Sequence, residues 1–267
     1  MLSKIGIIGC GKMGYALIKG ITQGSINYDG ILACDTSAER IDLFVREFGA
    51  IPATKEELIV NSDIVFLAVK PGQVKELLSG TKASWDTEQL LVSIAAGIKT
   101  STIEQELGKA VPVVRVMPNT PCLLGEGVSA LSPGRWARSS DMELVQAIVN
   151  QLGISVIVDE TYMDAITAVS GSGPAYVFLV VEAMMDAALS LGLNNEIARR
   201  LVLQTIKGSV AMLEQTGEHP AVLKAQVSSP GGTTIAGLRE LEAGGLREAF
   251  FAALERACQR SIELGAI

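Results

Sequence analysis

Two glycine-rich stretches in this sequence run straight into helical patterns, and beside the second nothing looks like a nucleophile or a base. The first, "GCGKMG" at 9–14, follows the apolar run "KIGIIG" and sets Gly9, Gly11 and Gly14 in G-x-G-x-x-G spacing. That spacing serves a tight turn at Gly9, close backbone approach to a pyrophosphate at Gly11 and close helix packing at Gly14. The second, "SPGGTTIAGL" at 229–238, lies among segments that otherwise read as helix. The first turn of a helix has unpaired N–H donors and the positive end of the dipole, so such a loop holds an anion. One chain therefore offers a dinucleotide loop and a second, unrelated anion loop.

The elements that must position these loops differ between the two halves. Up to about residue 160, short apolar runs alternate with helical patterns: 4–9, 30–35, 63–69, 90–97, 111–117, 127–132 and 154–158 read as strands. Helical patterns at 12–23, 37–47, 72–78 and 101–107 separate the early ones. This α/β grammar predicts a parallel sheet with helices on both faces, residues 1–160 forming a dinucleotide-binding domain. After Asp159 only helical patterns remain, at 160–169, 174–191, 195–215, 219–227, 234–242 and 246–264, so residues 161–267 are expected to form an all-α domain.

Further polar positions gather where a cofactor would lie. Asp35 ends the second strand, 21 residues past Gly14. A carboxylate there accepts hydrogen bonds from a ribose 2′-OH and repels a 2′-phosphate. Yet Thr36, Ser37 and Arg40 follow and could surround a phosphate, which leaves NADH and NADPH both open; Ser37 also suits a helix cap. Three more strand ends, "AVKP" (68–71), "AAG" (95–97) and "MPNTP" (117–121), face the same crevice beyond the carboxyl edge of a parallel sheet. Ala95, Ala96 and Gly97 would leave room for a flat ring, and Asn119 and Thr120 could hydrogen-bond a carboxamide. Pro71 and Pro121 equally suit the first turn of a helix. The expected cofactor contacts are Gly9, Cys10, Gly11, Lys12, Met13, Gly14, Asp35, Ala68, Val69, Lys70, Pro71, Ala95, Ala96, Gly97 and Asn119.

Bulk properties narrow the partners. Net charge is −7 over 267 residues with no Lys/Arg run, which argues against nucleic acid and anionic membranes. Cys10, Cys34, Cys122 and Cys258 are scattered without C-x-x-C spacing and read as reduced thiols, not metal ligands. With a strand beginning after three residues, no signal peptide is expected and the protein is placed in the cytoplasm. The stretch "PAYVFLVVEAMMDAALSL" (174–191) has membrane-helix length, but Glu182 and Asp186 interrupt it and basic anchors are missing. A helix apolar nearly all round is expected to pack against a partner subunit, giving a homodimer.

The set "GCGKMG", "FLAVKP", "AAGI", "RVMPNTP", "SGSGPAY" (170–176) and "SSPGGTTIAGLRELEAGG" (228–245) closely resembles the pyrroline-5-carboxylate reductase family over nearly the whole chain. The resemblance implies hydride transfer from NADPH or NADH to the C=N bond of 1-pyrroline-5-carboxylate, giving proline. It implies an N-terminal Rossmann domain and a C-terminal helical domain that interlocks with its counterpart in a dimer, which can assemble further. Carried onto this chain, it makes Gly231, Gly232, Thr233 and Thr234 the substrate-carboxylate loop, with the Thr234 hydroxyl the one side chain in the catalytic role. Ser172 is likewise implied to bind substrate, in the "SGSGPAY" turn close to the nicotinamide and the substrate, where Ser170–Gly173 would break the chain between two helices. Thr233 stands where many members have alanine, and Asp35 where many NADPH-preferring members have a neutral or basic residue.

The missing acid fits that implication. Ketone reduction needs a proton donor at oxygen, usually His, Lys or Tyr. The one histidine, His219, reads as a helix-start residue. A β-hydroxyacid dehydrogenase, the competing enzyme reading, predicts a lysine on the first long helix after the boundary, and residues 161–206 contain none. A non-catalytic nucleotide-binding regulator would have no use for the "SPGGTT" loop. A cyclic imine can arrive already protonated, so positioning and charge complementarity suffice.

Overall fold

The computed structural model describes residues 4–24 and 26–265. By packing, the chain forms two compact units, Met1–Pro174 with Glu255–Ile267, and Ala175–Leu254. The division falls after Pro174, beyond the boundary expected near 160, and the last stretch of chain returns to the first unit. An ionic cluster around the buried Arg115, joining the half-buried Glu160 and Asp164 and Ser261, explains the difference.

The first unit holds one eight-stranded sheet: β1 (Ile5–Ile8), β2 (Ile31–Cys34), β3 (Ile51–Pro52), β4 (Ile64–Leu67), β5 (Leu90–Ser93), β6 (Val113–Met117), β7 (Gly127–Pro133) and β8 (Gly153–Ile157). Its order is β3-β2-β1-β4-β5-β6-β7-β8, with β1 to β6 parallel. The sheet is not parallel throughout, as the alternation of runs and helices had implied. β7 lies antiparallel to β6, pairing Val116 with Leu131, and β8 follows β7 in parallel. Residues 118–126 are too few for a crossover, which takes about a dozen residues or more, so the chain turns back.

Strand alternation fills two cores. Ile5, Ile7, Ile64 and Phe66 pack with Leu17, Ile18 and Ile21 of α1 (Lys12–Gln23), Phe44 of α2 (Ala38–Phe48) and Val145 and Ile148 of α6 (Ser139–Val149). Ile8, Val65, Leu67 and Leu91 pack on the opposite face. Their partners are Leu58 and Ile59 of α3 (Lys55–Val60), Leu77 and Leu78 of α4 (Pro71–Thr81), and Ile103 and Leu107 of α5 (Thr100–Leu107). Each such side chain contributes about 1.5–3 kcal/mol on full burial.

α3 and β3 were absent from the sequence reading, although "TKEE" at 54–57 is a capping-box signature. Thr54 Oγ1 accepts from the Glu57 N–H (3.2 Å), and Glu57 Oε2 accepts from the Thr54 N–H (3.0 Å).

A second correction concerns "SGSGPAY". Instead of breaking, the chain stays helical through α7 (Met163–Ile166), a π turn over Thr167–Gly171 and α8 (Gly173–Ser190). The Ser172 N–H donates to the Thr167 carbonyl five residues back (2.9 Å). Pro174, which has no N–H to donate, sits in the first turn of α8, where none is needed.

The second unit contains the rest of α8, α9 (Asn195–Thr216), α10 (Pro220–Gln226), α11 (Thr233–Ala243) and the first part of α12 (Leu246–Gly265). Among residues 175–254, only Ala198 and Val202 are buried.

Candidate active site

The glycine loop is built at the point where strand order reverses, between β1 and β4, the usual ligand position in such sheets. Gly9 has φ +104°, and a Cβ there would stand 2.5 Å from the Ala68 carbonyl oxygen. A Cβ on Gly14 would collide with the Gly9 carbonyl oxygen. These two glycines are required by the protein's own packing. Gly11 is different: a Cβ there would meet nothing within 4 Å. It caps α1 without any side-chain hydrogen bond, so the first-turn donors stay open. Space kept clear beside bare N–H groups is what a pyrophosphate needs, and the loop fits a dinucleotide.

A cleft of about 640 Å³ opens from this loop, lined among others by Gly9, Gly11, Asp35, Thr36, Arg40, Lys55, Ala68, Val69 and Lys70. Ser37 caps α2, accepting from the Arg40 N–H (3.4 Å). Pro71 opens α4 at its first turn, as the helix-start reading allowed. The Cys10 thiol is buried; burial first, and the Asp35 charge second, push its pKa up to about 12. Cys10 thus packs the loop and is no nucleophile at neutral pH. Among the described residues all four cysteines are free and no metal-binding cluster occurs.

At the other strand ends, Ala95 is buried and Ala96 half-buried. The space beside Gly97 (φ +78°) is filled by α12: a Cβ there would lie 2.6 Å from the Ser261 carbonyl oxygen and 2.9 Å from the Gly265 nitrogen. Asn119 Oδ1 accepts from the Val128 N–H (3.0 Å), so its carbonyl serves the β6–β7 turn. The π turn rests on the carboxyl end of β6, since a Cβ on Gly171 would stand 2.5 Å from Met117 Cε. Ser172 follows it, half-buried. π turns inside helices frequently mark functional sites.

Arg115 was not singled out from the sequence. It is 2% exposed on β6, with Nη1 3.3 Å from Glu160 Oε1 and Nη2 3.7 Å from Asp164 Oδ1. Glu160 also accepts from the Thr100 N–H (2.7 Å) and Thr100 Oγ1 (2.8 Å), and Asp164 Oδ1 accepts from Ser261 Oγ (2.7 Å). This cluster ties the sheet, the α5 N-terminus, α7 and the end of α12 together. A charged residue inside the apolar run 111–117 was the available signal.

In the second unit, Gly231 has φ +67° and Gly232 caps α11 with no side-chain hydrogen bond. The Gly232 N–H donates to the Ser229 carbonyl (3.0 Å), and a Cβ on Gly232 would collide with Ser229 Oγ. Gly231 is therefore demanded by its backbone conformation, Gly232 leaves room for the Ser229 side chain, and the first-turn donors of α11, at Thr233 and Thr234, carry no side-chain cap. A cavity of about 660 Å³ beside the loop is lined by Gly231, Gly232, Ile235, Lys224 and Arg239 among others. His219 caps α10, its Nδ1 accepting from the Ala221 N–H (3.2 Å), which is the helix-start role expected of it.

The fold and the glycine loop define a nucleotide-dependent oxidoreductase. Residues 4–97 match the NADP oxidoreductase, coenzyme F420-dependent family model, and residues 160–264 match that for pyrroline-5-carboxylate reductase dimerisation. The chain is 43% identical to the pyrroline-5-carboxylate reductase of Methanosarcina acetivorans, covering 98% of each chain. It is 40% identical to that of Arabidopsis thaliana, over 98% of this chain and 95% of the other. The solved pyrroline carboxylate reductase of Plasmodium falciparum, which has NADP bound, superposes with a TM-score of 0.90 at 36% identity, over 98% of each chain. This chain belongs to the pyrroline-5-carboxylate reductase family.

Proposed function

We propose that this protein reduces 1-pyrroline-5-carboxylate to proline with NADPH or NADH, the glycine loop holding the cofactor and the α11 loop holding the substrate. The observation that carries the reading is the pair of uncapped helix starts, at Gly11 and at Gly232, in a chain of this family. Bound nicotinamide would supply the hydride. The chain's own residues do the positioning: the N–H groups of Gly231, Thr233 and Thr234 and the Thr234 hydroxyl fix the substrate carboxylate, with Gly232 shaping the turn, while Ser172 borders the substrate and the ring. We assign residues 1–160 to cofactor binding and 161–267 to dimerisation and substrate binding. Cofactor contacts are assigned to Gly9–Gly14, Ala68–Pro71, Ala95, Ala96 and Asn119; the space beside Gly97 is taken by α12, and Asp35 acts through the loop.

No side chain is required as an acid if the imine enters protonated. The exposed face of α8, with Val177, Phe178 and Leu179 bare, supports a homodimer; we place the protein in the cytoplasm, and its net charge of −7 speaks against a nucleic-acid partner. α8 belongs to one helical stretch, Glu160–Ser190, long and apolar enough to cross a membrane, and its charges at Glu182 and Asp186 favour the subunit reading.

The test is nucleotide oxidation with 1-pyrroline-5-carboxylate, compared with a 3-hydroxyacid run in reverse. Turnover of the imine alone is expected, and the opposite pattern would overturn the assignment. His219→Asn should keep kcat within about tenfold, whereas losing a general acid costs 10²–10⁴.

A further inference from the structure

We propose that Asp35 braces the glycine loop instead of binding the cofactor ribose, and that the choice between NADPH and NADH rests on Arg40 and Lys55. The inference rests on the dinucleotide reading above and concerns only the first unit.

An acidic residue ending the second strand ordinarily signals NADH, because its free lone pairs meet the ribose hydroxyls. Here the carboxylate is already engaged. Oδ2 accepts from the Cys10 N–H inside the glycine loop (2.7 Å) and lies 3.6 Å from Arg40 Nη1. Oδ1 accepts from the Ser37 N–H (2.9 Å). The side chain is only 6% exposed. Bonds from backbone N–H groups to a carboxylate are charge-assisted, and one neutral hydroxyl is a poor replacement for them. Asp35 thus stitches the end of β2 to the turn after β1.

The cations beside it are placed differently. Arg40 is 56% exposed, and it lines the cleft together with Thr36 and Lys55. Its pairing with Asp35 offsets the carboxylate's repulsion of an incoming anion. Lys55, at the start of α3, sits close enough to the end of β2 that its charge favours the Cys34 thiolate, against the larger opposing effect of burial. A 2′-phosphate carries about −1.5 to −2 charges at neutral pH, which this pair can receive. The ribose of NADH has no such group to offer them.

The experiment is fluorescence titration of the purified protein with NADPH and with NADH, with melting temperatures recorded alongside. Neither readout needs the imine, so a wrong substrate assignment would leave both interpretable. Wild type should bind NADPH more tightly. Arg40→Gln and Lys55→Gln should each weaken NADPH by about ten- to a hundredfold, the range for a bond to a charged group, and leave NADH within about threefold. Asp35→Asn should lower the melting temperature and weaken NADH; NADPH should lose less, because the carboxylate's repulsion of the 2′-phosphate goes with the charge. A loss of NADH in Asp35→Asn at an unchanged melting temperature would make the residue a ribose ligand and overturn the proposal. So would an unchanged ratio in both cation variants, which decide the matter even if Asp35→Asn does not fold.

Discussion

The two anion loops of this chain are alike in chemistry and opposite in setting. Around Gly9–Gly14 the protein surrounds its loop with packed side chains: Ile5, Ile7, Leu17 and Ile18 are fully buried. Around Gly231–Thr234 the helices bury almost nothing of their own, and α11 has no buried residue. A sheet covered by helices on both faces completes its core within one chain, whereas a few helices of mostly apolar surface do not. The difference teaches that the first unit completes the packing around its loop within one chain, while the helices around the second leave their apolar surface bare.

The sharpest way to break that contrast is to charge the bare helix. Phe178→Glu on α8, whose phenylalanine is 65% exposed, should abolish self-association at micromolar concentration, read by sedimentation. An unaltered sedimentation coefficient would place the interface elsewhere. In the first unit, Arg115→Ala should leave Glu160 and Asp164 facing a void and destabilise the sheet unit by about 3–5 kcal/mol, seen as a lower urea midpoint. A shift below about 1 kcal/mol would mean the cluster does not hold the end of α12.

Gly11→Val should weaken nucleotide binding by ~100-fold, about 2.8 kcal/mol, with the melting temperature nearly unchanged. Its Cβ meets no protein atom, so a large loss of stability would contradict the assignment of that space to the cofactor. Thr234→Ala removes one hydrogen bond to a charged group, worth about 1.5–3 kcal/mol, and should lower kcat/KM for the imine by about ten- to a hundredfold. Nucleotide affinity should stay as in wild type, and loss of both together would show that the two loops are not separate sites.

Much of this was legible in the sequence. Seven of the eight strands, the glycine loop with its turn and helix, and the helical second half could be read because apolar runs, helical periodicity and turn residues are local signals. β3 is two residues long, too short for any periodicity to register. α3 is six residues long, and its capping box was the signal overlooked. The direction of β7 could not come from its own composition, since an apolar strand looks the same whichever way it runs. The helix through "SGSGPAY" was obscured because glycine and proline usually end helices, whereas here Pro174 sits in the first turn of α8.

What the residues themselves determined is the type of most elements and the uncapped starts of α1 and α11, because spacing, turn geometry and helix starts are short-range properties. The tertiary structure alone decided where long-range partners spend their charge. Asp35 looks free at the end of a strand, yet folding brings the Cys10 and Ser37 N–H groups onto its two oxygens. Arg115 looks out of place within β6, yet Glu160 and Asp164 arrive from far along the chain to meet it. A charge's role depends on its distance to others and on the water excluded around it, and both exist only after the chain has folded.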